Sequence, residues 1–353
     1  MTLPASGAVR MGADVDVELS LASTTAISLG GSGVRGLYGV ASGAIRLAAD
    51  GYGKSNLPSF APIVGGTNNG GTTTYAINDK YTFSSDTSAV GTAAPANMHY
   101  NQATGNTSQV IFFVGGTSAR RLYSYSGDSW STGTAFSTSA AFYGGMIGNK
   151  TVAINKNSGS VATTQKYTYT TDTTAAGGSL SYASNYGPGC VGNSTQGIFC
   201  GGYITTALQT SSKYIYSNDT TSAGGSLAYT GMGCGAGSGA YFMTGIGIST
   251  VGIFTGGNDA CMVTGTSQTS VYTYSTDGQA SGTALNGLLS YTMTCGSTTA
   301  GRAVGGATNI QGAGTYIATS SKYTYSSSVV SAGGSISLAR GFGAGPGATP
   351  AAI

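Results

Sequence analysis

Tyr214-Ile-Tyr-Ser-Asn-Asp219-Thr-Thr-Ser-Ala-Gly224 is one of six copies of a pattern that decides the fold. Its aromatic-x-aromatic anchor stands at Tyr81-Thr-Phe83, Tyr123-Ser-Tyr125, Tyr167-Thr-Tyr169, Tyr214-Ile-Tyr216, Tyr272-Thr-Tyr274 and Tyr323-Thr-Tyr325, at separations of 42, 44, 47, 58 and 51 residues. Five residues after the first Tyr comes an Asp in five copies (Asp86, Asp128, Asp172, Asp219, Asp277) and Ser328 in the sixth. Ten residues after it comes a Gly in all six: Gly91, Gly133, Gly177, Gly224, Gly282 and Gly333. Side chains alternate along a strand, so both rings of an anchor share one face. The Asp then falls in the following turn, where its carboxylate is expected to accept backbone N–H bonds and set a hairpin.

Upstream of the anchors an apolar strand ends in Gly-Gly: Ile63-Val-Gly-Gly66, Phe113-Val-Gly-Gly116, Phe199-Cys-Gly-Gly202, Phe254-Thr-Gly-Gly257 and Ala303-Val-Gly-Gly306. The third unit departs, with Val152-Ala-Ile-Asn155 in the equivalent place. Before each such strand lies a small-residue stretch, for example residues 140–149 or 229–239, suited to a crowded innermost strand. Four strands in about 40 to 50 residues is the repeat of a propeller blade. The array starts on a second strand at Ile63 and ends on a small-residue stretch at residues 338–347. The C-terminal strand is therefore expected to complete the first blade and leave no open edge in the ring.

Over residues 61–353 these features resemble the kelch family, in which a strand ends in Gly-Gly and a Tyr follows in the next strand. The chain departs from kelch in having Trp130 as its one Trp and in the third unit's missing Gly-Gly. The expected fold is all-β, a six-bladed kelch-like β-propeller over residues 63–353, preceded by a linker at residues 57–62 and a small docking segment at residues 1–56.

Composition agrees. Sixty glycines and 23 tyrosines suit tight turns and half-buried strands. Only 7% of residues are charged, against roughly 25% in an ordinary soluble domain, and the net charge is +3. So small and scattered a surplus is no nucleic-acid footprint. Five cysteines without CxxC spacing (Cys190, Cys200, Cys234, Cys261, Cys295) indicate neither a disulfide framework nor a zinc site. Neither a signal peptide nor a membrane span is expected, since residues 1–20 lack a basic start followed by an apolar core and residues 239–254 are broken by Thr244, Ser249, Thr250 and several glycines.

Residues 5–56 carry a different repeat, with Ser6-Gly-Ala-Val-Arg-Met11, Thr24-Thr-Ala-Ile-Ser-Leu29 and Ser42-Gly-Ala-Ile-Arg-Leu47 at an 18-residue period. LPASGAV near the start, Val34-Arg35, and ASGAIRLAADGYGKSN at the close resemble the short N-terminal module of tailed-phage virion proteins. That resemblance implies docking to other virion proteins, with Arg10, Asp14, Arg35, Arg46, Asp50, Tyr52 and Lys54 as the docking residues. It implies a virion surface protein present in multiple copies, a tail fibre, spike or decoration subunit assembled in the host cytoplasm. The alternative is a purely architectural component, a capsid decoration or tail spacer without a ligand.

Catalytic constellations are missing from the sequence. His99 is the single histidine, so a triad or His-based metal site must run through it alone, and it reads as structural or channel-lining. Equivalent turn Asps around a ring lie too far apart for paired-carboxylate chemistry, which needs roughly 5 to 10 Å. The Tyr, His and Cys copper set of kelch-related oxidases is unsupported, and the Gly-Gly pairs introduce no phosphate loop. No enzyme activity, cofactor or metal is expected. What remains is surface recognition by Tyr, Ser, Gly and Asn, of a host-surface glycan or envelope protein. The residues assigned to it lie after the Gly-Gly strands, on loops that share a face of the ring: Asn68, Tyr75, Arg120, Arg121, Tyr203, Asp259, Asn309 and Tyr316.

Overall fold

The computed structural model describes residues 58–68, 73–115, 117–137, 145–157, 159–229, 240–258, 265–308 and 315–347. They form an all-β, six-bladed propeller. Blade four is typical: Gly189–Gly192, Gln196–Cys200, Ser211–Ile215 and Thr220–Ala223 pair antiparallel in chain order from the channel outward. Blades two, three, five and six repeat it, their innermost strands being Gln102–Gly105, Met146–Gly148, Thr244–Gly247 and Met293–Gly296. Blade one holds Phe60–Val64, Asn78–Thr82 and Thr87–Val90. Its inner side is taken by the far end of the chain: Val64 and Ala344 exchange backbone hydrogen bonds of 2.7 and 3.0 Å, and Thr67 and Gly341 exchange bonds of 2.8 and 3.0 Å.

The core lies between blades, and the anchors build it. All six first tyrosines are at most 1% exposed. Each Tyr pair packs on the inner strands of the preceding blade, as Tyr167 and Tyr169 do on Ile111 and Phe113, and Tyr214 and Tyr216 on Ile147 and Ile154. The glycine ten residues on is required by close approach: a Cβ on Gly177 would stand 2.3 Å from Thr164 Oγ1, and one on Gly224 would stand 2.4 Å from Ser211 Oγ. Those hydroxyls donate to Gly178 O and Gly225 O, tying the third strand to the chain leaving the fourth.

The turn aspartates do more between blades than within their own hairpins. Each sits in the left-handed backbone region, φ 43° to 56°, which Asp tolerates better than most residues. Its own anchor donates to it, as Tyr123 Oη to Asp128 at 2.7 Å and Tyr214 Oη to Asp219 at 2.8 Å. The backbone N–H groups that reach these carboxylates come from the preceding blade, from Thr92 to Asp128 (3.2 Å) and Thr134 to Asp172 (2.8 Å). A lysine of the preceding blade joins four of them, Lys80 to Asp128, Lys166 to Asp219, Lys213 to Asp277 and Lys322 to Asp86, while Leu122 stands in the lysine position opposite Asp172. The expectation of N–H bonds inside the hairpin is thus corrected. A turn residue held at positive φ turns its side chain back along its own strand, toward the Tyr and the neighbouring blade. Where the sixth copy has Ser328 for Asp, the preceding blade has Val271 for Lys, so both halves of the clamp are lost together.

Two predictions follow from the clamps. Asp128→Ala removes three partners and places Ala at φ 43°, so a loss of about 1–2 kcal/mol is expected in chemical denaturation. Burial alone would raise the pKa of Asp86, Asp128, Asp172 and Asp277. Arg302, the Tyr and N–H donors and the lysines outweigh it, and all four lie below 3.8. Their contribution is full above the unfolded-state value and is lost as pH falls through the lower folded values. The urea midpoint should therefore stay level down to about pH 4 and drop steeply below it.

The third blade solves its missing Gly-Gly with a lysine. In blades one, four, five and six the second Gly N–H donates to the carbonyl of the chain approaching the next inner strand, for example Gly202 N to Ala240 O at 2.9 Å. In blade three the strand runs on to Lys156, and its ammonium donates to Ser184 O, Asn157 O and Gly159 O. Burial pushes its pKa down to about 8. Lys156→Met leaves these carbonyls without their donor, and a loss of about 2 kcal/mol is expected in thermal or urea unfolding.

Candidate functional site: an aromatic collar on the central channel

The connections after the Gly-Gly strands and those leading into the inner strands share one face and pair there. Bridges join Tyr75 to Met98, Tyr186 to Tyr203, Tyr241 to Asn258, Ser290 to Ala307 and Ala307 to Tyr316. Asn68, Tyr75, Tyr203 and Tyr316 lie here and are half-buried. Asp259 and Asn309 fall outside the described residues, as do Arg10, Asp14, Arg35, Arg46, Asp50, Tyr52 and Lys54.

Arg120 and Arg121 are not loop residues. Tyr123 fixes the register of the strand Arg120–Ser124, so both arginines sit in its ladder opposite Phe113 and Phe112. Arg120 is 0% exposed, with its guanidinium carbon 3.2 Å from the Phe136 ring centroid, and burial lowers its pKa to about 9. Arg121 is half-buried and donates to Arg120 O at 3.0 Å. The connection after Val114 is simply too short to hold them.

The feature the sequence reading missed is at the mouth of the channel. Two residues before five of the inner strands the chain turns with positive φ, and in four of these blades the residue there is a large aromatic: Tyr100 (53°), Phe242 (55°), Tyr291 (56°) and Phe342 (60°). Blade four has Gly187 (36°) in the same place. Blade three has Gly144, which lies outside the described residues. The aromatic rings touch in series, Tyr100 to Phe342 at 4.7 Å, Phe342 to Tyr291 at 3.7 Å and Tyr291 to Phe242 at 4.7 Å between centroids. Tyr241, Tyr203 and Tyr186 extend the series across the same face. A bulky side chain in this backbone region costs about 1–2 kcal/mol, and such strain gathers at binding sites. Gly187 demonstrates that glycine satisfies the turn.

Below the collar the inner strands line a central cavity of about 130 Å³. Its walls include Gln102, Thr104, Met146, Cys190, Thr244 and Thr294, and among the described residues no Asp, Glu, Lys, Arg or His lines it. His99 stands beside it, its ring tilted against Tyr100 at 4.7 Å between centroids, and burial holds its pKa below the usual value, so it is neutral at pH 7. An uncharged wall under an aromatic rim suits a neutral ligand and offers nothing to balance the charge of an ion.

No protein-family model matches the chain, and no curated protein matches it in sequence. Among solved structures it is similar to YjhT, with a TM-score of 0.58 and 12% identity over 79% of this chain and 99% of that one. At that identity the likeness concerns the fold alone, and it agrees with the propeller described above.

Proposed function

We propose that the chain is a recognition protein of a phage virion surface, a fibre, spike or decoration subunit. Its propeller binds a neutral ligand of the host surface, a glycan or an envelope component, over the aromatic collar. The observation that carries the recognition half is the collar itself: four large aromatics held at positive φ around one channel mouth, where glycine suffices. Aromatic platforms with Ser, Thr and Asn between them supply contact area and adaptable hydrogen bonds without charge. The virion half rests on the resemblance of residues 1–56 to phage docking modules. The purely architectural alternative does not explain why strained rings stand where glycine suffices.

Adsorption competition tests the reading. The full chain, added to host cells before phage, is expected to bind them and reduce infection, while particles lacking residues 1–56 of this chain should fail to incorporate it. Cells left unbound by the protein, with infection undiminished, would support the architectural alternative.

A further inference from the structure

The wall under the collar is lopsided in its chemistry. At the start of the inner strand of blade two stand Asn101 and Gln102, 9% and 7% exposed, and both line the cavity. None of the four nitrogen and oxygen atoms of these two side-chain amides has a hydrogen-bond partner. Burying an amide unpaired costs stability, and native structures satisfy nearly all such groups. The other blades show that the ring does not need amides here. Where Asn101 stands they have Gly145, Pro188, Met243, Thr292 and Gly343, and where Gln102 stands they have Met146, Gly189, Thr244, Met293 and Ala344. Elsewhere on the wall the polar side chains are the hydroxyls of Thr104, Thr244, Thr292 and Thr294 and the thiol of Cys190, and Thr244 and Thr292 already meet at 2.7 Å.

We infer that the central channel takes one ring of a neutral sugar, whose hydroxyls pair with the amides of Asn101 and Gln102 while the collar covers its apolar face. This rests on the neutral-ligand reading above and names the ligand class. Each amide offers a donor and an acceptor, and adjacent sugar hydroxyls offer both in return. A water takes roughly 10–15 Å³ of such space, so the cavity holds on the order of ten water-sized groups, enough for a single hexose. Nucleotides and acidic sugars bring a charge that the lining leaves unbalanced.

The test uses the full chain titrated calorimetrically with glucose, galactose, mannose and N-acetylglucosamine, and with glucuronate as the charged control. At least one neutral sugar is expected to bind, with glucuronate about tenfold weaker or worse. Gln102→Leu is expected to weaken the neutral sugar by about tenfold or more while its melting temperature stays level or rises, because an unpaired buried amide has been removed. Asn101→Leu serves as the second variant, with the same expectation. The inference is overturned if no neutral sugar binds, if glucuronate binds equally, if both variants bind normally, or if both melt several degrees lower, which would make the amides part of the fold through ordered water. Host-cell binding separates the two readings. If cells are bound by Gln102→Leu as by the parent but not by Phe342→Gly, the collar reading stands and the sugar assignment falls. If sugars bind but no cell does, the reverse holds.

Discussion

Arg340→Met is expected to lower the free energy of unfolding by about 3–5 kcal/mol, the cost of leaving one member of a buried ion pair alone. Arg340 and Asp79 are both 0% exposed, and Arg340 Nη2 lies 2.6 Å from Asp79 Oδ2. The same guanidinium donates to Gly65 O at 2.6 Å and Ile63 O at 3.1 Å, and Ser337 N donates to Asp79 Oδ1 at 3.1 Å. Every one of these contacts joins the last stretch of the chain to blade one. A second charged group guards the same seam, where Arg302, 1% exposed, reaches Asp86 and Tyr81 Oη at 3.0 and 2.9 Å. The seam is the one place where a ring built from a linear chain lacks covalent continuity, and a charge left unpaired there destabilises more than an equal apolar cavity. The double change Arg340→Met with Asp79→Leu should recover most of the loss, since removing both partners of a buried pair is often nearly neutral. Urea unfolding decides it: a single-variant loss under about 1 kcal/mol would mean that the pair does not hold the seam.

Phe342→Gly is expected to weaken ligand binding by about 2 kcal/mol or more, roughly thirtyfold, the effect of deleting a central aromatic anchor. Phe342 contacts both Tyr100 and Tyr291, so its ring is the link between the two halves of the collar. Stability should change little, because glycine at φ 60° releases strain while the lost ring contacts offset the gain. Equal binding by parent and variant would remove the collar from the recognition surface. A variant that binds weakly and also unfolds readily would identify Phe342 as a structural ring.

The blade architecture was legible because its marks are local. Two rings on one strand face, an Asp five residues on and a Gly ten residues on each follow from the geometry of a single hairpin. The clamps between blades were half legible. Lys80, Lys166, Lys213 and Lys322 each precede an anchor Tyr, yet their Asp partners lie 48, 53, 64 and 236 residues away. Val271 and Ser328 replacing Lys and Asp together hint at the connection, and Leu122 facing a retained Asp172 blurs it. Arg120 and Arg121 were misplaced because the extent of the Gly-Gly connection in blade two is set by cross-strand register to Tyr123, which lies beyond them in sequence. The collar was hidden for another reason. Tyr100, Tyr291 and Phe342 do stand 19 residues after the first Tyr of the preceding anchor, and Phe242 stands 28 after Tyr214, but the sign of φ is not written in residue type for an aromatic, and spacing alone does not tell a ring at the channel mouth from one in the core. The collar stands out once the five described turns are set around one axis and the equivalent position in blade four is glycine.

Recognition of a neutral surface ligand by the collar can be read from an array of bacterial surface polysaccharides probed with the full chain and with Phe342→Gly. The parent is expected to bind at least one uncharged polysaccharide, with binding nearly unchanged by added salt because no charge lines the site, and Phe342→Gly is expected to lose it. Binding confined to anionic polysaccharides and abolished by salt, or binding that Phe342→Gly retains in full, would contradict it.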